Sequence, residues 1–267
     1  MKGLLLLLFA GHLISGEINL SYKFQPGQVF KYQSISLMRM TTRVGNQART
    51  MRTKTTLLTS QRVDSIIEDS IIVLSLKIDK IEIETKPEIP ISGIGEIQGK
   101  EVKLRITESG KVLKMEGAEQ LSMMGQPGEK TLEGYIKSFF DFLPDHPVKP
   151  KDIWEKKVED EEGTLKGRYT LTGFEEREGI KCAKIKAEQE LMQEQTQEQM
   201  GNKIHTKIKG KSKGEVCFGV EKSILIYRTI TFSLEGEQEI SRPSVPEPMT
   251  LPIYIDQAQE IKLLPEE

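Results

Sequence analysis

Two cysteines are the only residues whose type and placement ask for a specific chemistry. Cys182 and Cys217 stand on either side of "EQMGN" (Glu198 to Asn202), and their midpoint falls between Gln199 and Met200. A nearly symmetric hairpin turning at that tip brings the two thiols roughly opposite each other, and an oxidising compartment would then join them as a disulfide. The spacing is not C-x-x-C, and no cation cluster flanks either residue. A redox-active dithiol with a depressed thiol pKa is therefore not expected.

Other residue types that could do chemistry fail on spacing. Beyond the first sixteen residues only His146 and His205 remain, with no His or Cys at ligand spacing from either, so no metal site is expected. The acidic run "VEDEEG" (Val158 to Gly163) lacks the alternating pattern of a calcium loop and reads as a solvated hairpin tip. "GKSKG" (Gly210 to Gly214) lacks the spaced leading glycine of a phosphate loop and reads as a basic turn. "EQELMQEQTQEQM" (Glu188 to Met200) reads as a polar strand end or solvated hairpin arm. With no nucleophile elbow, metalloprotease helix or dinucleotide fingerprint, neither an enzyme nor a cofactor is expected.

The elements that would position any site are mostly strands, because period-two alternation dominates. Leu20, Tyr22 and Phe24 alternate, as do Phe30, Tyr32, Ser34, Ser36, Met38 and Met40. Ile72, Leu74, Leu76 and Ile78 share one parity while Ile81 and Ile83 take the other, so a β-bulge is expected at Asp79–Lys80. One stretch differs. Leu132, Tyr135, Ile136, Phe139, Phe140 and Leu143 recur at helical spacing before Pro144. That predicts an amphipathic helix, with a shorter helical piece around Ala118 to Met124 ahead of it, packing its apolar face on a sheet or against a ligand. The tail "TLPIYIDQAQEIKLL" reads as a last strand pair or an edge strand.

"MKGLLLLLFAGHLISG" (residues 1–16) has the form of a secretory signal, with Lys2 ahead of an apolar run too short to span a bilayer comfortably. Export to a periplasmic or extracellular location is expected, with no stable transmembrane anchor after cleavage. The chain of 267 residues carries 38 basic and 40 acidic side chains for a net charge of −2. No field of either sign results, so neither nucleic acid nor an anionic membrane surface is an expected partner. Aromatic residues are too few to build stacking platforms for bases.

The halves echo each other. Phe24, Pro26 and Phe30 match Val148, Pro150 and Trp154 at an offset of 124, and strand and turn signals follow in the same order. The expected organisation is a signal peptide (1–16), an N-terminal β-meander half (17–115), a helical linker (116–146) and a C-terminal β-meander half (147–267). The fold class is mainly β: two related antiparallel meanders forming one curved sheet or two half-barrels, with the helical segment between them.

The order "F-x-P-G-x-x-F-x-Y", then "P-x-K-P-x-D-x-W-E" and "G-I-K-C-A-K-I", resembles a group of exported bacterial proteins of unknown function. One position departs: Lys151 stands where that group has Gly before the Asp, which makes a left-handed backbone there less expected. In architecture the chain is also similar to the periplasmic half-barrels that carry lipoproteins or lipids, where helices lid a curved sheet. That second resemblance implies a lipid or other hydrophobic ligand in the concavity of the sheet. The alternative is a structural or protein-interaction module of the cell envelope with a solid core. "SRPSVPEPM" and "KPEIPISGIGEI" (Lys86 to Ile97) would then be its contact surfaces.

Overall fold

The computed structural model describes residues 16–68, 70–88, 94–118, 136–137, 139–160, 163–199, 201–242 and 247–265. The expected leader, apart from its last residue, lies outside them, as do Leu132, Tyr135 and all but Ala118 of the shorter helical piece. Eleven strands form one antiparallel sheet. They are β1 (Val29–Val44), β2 (Gln47–Ile67), β3 (Ile71–Lys86), β4 (Glu101–Ile106), β5 (Val112–Glu116), β6 (Ile153–Asp160), β7 (Gly163–Arg177), β8 (Ile180–Gln199), β9 (Asn202–Gly219), β10 (Ile224–Ser241) and β11 (Met249–Leu263). A single helical turn, α1 (Ile94–Ile97), precedes β4. The sheet is curved and does not close.

Its order is β5-β4-β3-β2-β1-β11-β10-β9-β8-β7-β6. The first five strands meander outward to one edge. The chain then crosses to the opposite edge, and β6 to β11 meander back until β11 pairs with β1. One continuous sheet therefore replaces the alternative of two packed half-barrels. The tail is no edge strand: Ile261 pairs with Ser34 on one side and Arg228 on the other. Pairing between the two ends of a chain leaves no local sequence signal, which is why alternation alone misplaces β11.

Strand parity sorts the sequence onto two faces. Tyr32, Leu74, Leu104, Leu171, Ile185 and Ile261 turn inward and are buried, while their neighbours turn outward. In β3 the partner of Leu58 is Lys80 and that of Thr59 is Ile78, so Asp79 is the extra residue. That bulge returns Ile81 and Ile83 to the side of Ile78, and the expected break in phase is there.

Two expectations change. Gly210 to Gly214 lies inside β9, not in a turn: its lysines face outward and its glycines inward. A Cβ on Gly210 or Gly214 would sit 2.1 or 2.0 Å from a backbone carbonyl of β10. Glycine is what lets the strands run this close on the inner side. Leu20 to Phe24 is extended but joins no strand. It lies across the core, with Leu20 and Tyr22 buried and the Tyr22 N–H donating to Glu108 O at 2.7 Å.

Candidate functional site

The inner face is layered. At the end of the sheet where β1 begins, Ile136, Phe139, Phe140, Phe142 and Leu143 plug the curve. Residues 136, 137, 139 and 140 are helical, and Ile136, Phe139, Phe140 and Leu143 are buried. Phe139 stands edge-on to Tyr32 at 5.4 Å between ring centres, and Phe140 to Tyr22 at 6.0 Å. The Trp154 indole N–H donates to Phe142 O at 2.8 Å, which ties β6 to the plug. Among the described residues, the cavity beneath Ile136 and Phe139 holds about 30 Å³, too little for a ligand. Burial pushes the Tyr22, Tyr32 and Tyr169 phenols up, so all three stay protonated at neutral pH.

Next comes a belt of polar side chains that satisfy one another. Gln189 donates to the Tyr169 hydroxyl at 2.9 Å and accepts from Ser212 at 3.0 Å. Gln257 donates to Ser36 at 3.0 Å and Gln259 to Ser34 at 3.3 Å. Buried polar groups paired in this way close the floor without calling for a ligand.

One step further along the strands, the inner face turns apolar again. Cross-strand register places Val158, Leu165, Leu191, Gly210, Leu234, Ile255, Met40 and Met51 side by side, one from each of eight consecutive strands. All eight are half-buried rather than sealed. Phe232 and Met38 lie just below this row, and Ile208 and Ile253 just above. Rows two residues apart are separated by about 7 Å, so the band spans about 14 Å. Flexible methionine and branched side chains at such a surface can adapt to more than one apolar shape.

The outer face is different in kind. A groove of about 1450 Å³ crosses nine strands, from Glu84 and Lys86 on β3 to Glu155 and Lys157 on β6. It runs between two rows of outward side chains, many of them ion pairs such as Lys54–Glu84 and Lys211–Glu190, both at 3.1 Å. Exposed pairs of this kind contribute little stability, but charges set opposite each other fix register in long strands.

The cysteines also lie on the outward parity. Cys182 is opposite Gly219 and Cys217 opposite Lys184, a diagonal on neighbouring strands, and the two are bonded with their Cα atoms 5.4 Å apart. Both are buried, at 0% and 3% exposure, so the bridge is structural and out of reach of solvent thiols. Near the core, the Lys156 ammonium lies 2.8 and 2.9 Å from the Asp145 oxygens and 3.5 Å from Asp141. Burial raises the Asp141 pKa despite Lys156. Burial pushes Asp145 the same way, but hydrogen bonds from Lys156 and Ser109 outweigh it and hold that carboxyl below the usual range. Among the described residues, no three or more His, Cys, Asp or Glu are grouped to hold a metal ion, and no helix is long and apolar enough to cross a membrane.

Sequence reasoning missed the apolar row and the sorting of β8. Every described glutamine of that strand from Gln189 to Gln195 points inward, while Glu188, Glu190 and Glu194 point outward. The alternation E-Q-E in the sequence was the available signal, and it reads as one solvated arm only if side-chain parity is ignored.

A family of unknown function, DUF6263, matches residues 120–221. No curated protein matches the chain. Among solved structures, lipovitellin, described for its lipid–protein interactions, is similar over 91% of this chain at 13% identity and a TM-score of 0.53. This chain spans about a quarter of lipovitellin, 26% of its length, and the likeness is one of fold. A DUF1329 family protein from Desulfovibrio piger ATCC 29098 aligns over 84% of this chain and 83% of its own at 11% identity. Its TM-score of 0.17 carries no argument.

Proposed function

We propose that this protein is an exported, non-enzymatic carrier that holds a hydrophobic, chain-bearing molecule against the inner face of its sheet. The half-buried apolar row from Val158 to Met51 carries the reading. An apolar surface of that breadth is costly to leave in water, and a lipid chain is an occupant of matching length and chemistry. The lipovitellin likeness supports it, since that protein's structure concerns lipid–protein interactions and shares the fold. The buried disulfide fits export to an oxidising compartment. The ligand belongs above the polar belt and not beneath the plug, where the packing is solid.

The test is organic extraction of protein purified without detergent, followed by mass spectrometry. A lipid recovered near one equivalent is expected, together with its loss when Leu191 and Leu234 are both changed to Asp. Recovery at background level from the folded protein would defeat the proposal.

The solid core under Ile136 and Phe139 favours a second reading, an envelope interaction module whose partner is a protein. Cross-linking in the native envelope separates the two: a single protein partner captured by lipid-free material supports the second.

A further inference from the structure

The carrier reading leaves open what head its ligand carries, and the glutamines of β8 bear on this. Beyond the apolar row, toward the β8–β9 hairpin tip, the inner face offers Gln193, then Gln195, Thr206 and Gln238 side by side. All four are half-buried. The outward positions of the same strands carry Glu194, Lys207, Lys209, Glu235 and Glu237. Charge is abundant one residue away on every strand, yet these inner positions carry three amides and a hydroxyl, with the apolar Ile208 opposite Gln193 and Leu251 opposite Gln238. Amides both donate and accept, and they match groups that do the same. A phosphate or carboxylate would lose its hydration on a surface with no cation among these four residues to replace it, which is costly.

We infer that the ligand is an amphiphile with an uncharged, hydroxyl-bearing head, seated on Gln193, Gln195, Thr206 and Gln238 while its chain lies along the apolar row. This rests on the carrier reading and narrows it. The head lies about 7 to 14 Å along the strands from Leu191, by the two-residue rise. Half-buried amides that lose partners penalise a ligand lacking hydroxyls, so discrimination comes from unmade hydrogen bonds as well as from charge.

Delipidated protein is titrated at pH 8 with monooleoylglycerol, oleate and oleoyl lysophosphatidylcholine, which share one chain and differ in head. Native mass spectrometry reads the competition, and an uncharged apolar dye reports on the chain site alone. Monooleoylglycerol is expected to win at least tenfold over both others. Gln193→Glu with Gln195→Glu is expected to lower its binding at least fivefold, while Glu194→Gln on the outer face leaves it unchanged. Should the double variant misfold, Gln193→Leu with Gln195→Leu keeps the patch uncharged and is expected to cut the preference below threefold. Equal or tighter binding of oleate or the lysolipid, or folded variants with an unchanged preference, would overturn the assignment of the head and leave the carrier reading standing. Failure to bind the dye and all three lipids would remove the carrier reading itself.

Discussion

Gly27 and Lys151 occupy the same place in the same turn, with φ of +85° and +82°. The Gly27 N–H donates to Val63 O at 2.8 Å, and the Lys151 N–H to Leu171 O at 2.7 Å. One residue on, Gln28 O accepts from the Val63 N–H and Asp152 O from the Leu171 N–H. The side chains repeat as well: Gln28 accepts from the Gln25 N–H at 2.8 Å and Asp152 from the Lys149 N–H at 3.0 Å. Each turn follows a buried residue, Phe24 or Val148, and leads a ring into a strand, Phe30 in β1 or Trp154 in β6. A proline followed by a left-handed residue is the type II arrangement, which glycine fills without strain and lysine does not.

Lys151→Gly should therefore stabilise the protein by roughly 0.5–1 kcal/mol, the strain relieved less the chain entropy glycine adds. Gly27→Ala should cost about 1 kcal/mol for its conformation alone, since a Cβ there meets nothing within 4 Å. Urea titrations of the two variants check both signs. A destabilised Lys151→Gly would show that its side chain contributes more than its backbone costs.

The inner glycines of β9 should behave differently. Gly214→Ala places a methyl 2.0 Å from Thr229 O, a backbone atom that cannot rotate away. A loss of about 1–3 kcal/mol or more is expected, the range for forcing extra atoms into a packed site. Gly45→Ala, in a left-handed turn with open space around it, should lose only about 1 kcal/mol. Thermal melts of the pair separate crowding from conformation.

Replacing both Cys182 and Cys217 by Ala should lower stability by about 2–4 kcal/mol, because the bond closes a loop of sequence separation 35 in the unfolded chain. Since both residues are buried, the native bond should resist mild reductant until the protein unfolds. Thiol labelling with and without denaturant measures that directly.

Phe140→Ala should cost about 3–5 kcal/mol. Its ring is fully buried and meets Tyr22 and Phe139 edge-on, so removal leaves a hole that the plug cannot close without moving Trp154's acceptor at Phe142. Chemical denaturation of the variant provides the number.

Asp141 should make the protein relatively more stable in acid. Its folded pKa is raised above the unfolded value by burial, so the protonated form is the one the fold prefers. The stability linked to this group is fully present below the unfolded carboxyl pKa of about 3.9 and is lost as pH rises through the folded pKa. Oδ1 has no hydrogen-bond partner among the described residues, although Lys156 lies 3.5 Å away. Asp141→Asn should therefore match or exceed the native protein in melting temperature at pH 7. The difference should shrink toward pH 3, where both side chains are neutral.

Much of this fold is legible locally. Alternation in "IIVLSLKIDKIEI" marks β3 and even its bulge, because parity is set by each residue's own neighbours. The spacing of Ile136, Phe139, Phe140 and Leu143 marks an apolar stripe, and all four are buried. The matching prolines at Pro26 and Pro150 mark two turns. What tertiary structure decided is which faces meet and in what order. β11 is central because Ile261 finds Ser34 and Arg228, a pairing between distant strands that no window of sequence contains. The apolar row is assembled one residue per strand from eight strands, so no single stretch of sequence displays it. Likewise, the glutamines of β8 became an inner surface, and its glutamates an outer one, only once the sheet curved and gave its two sides different surroundings.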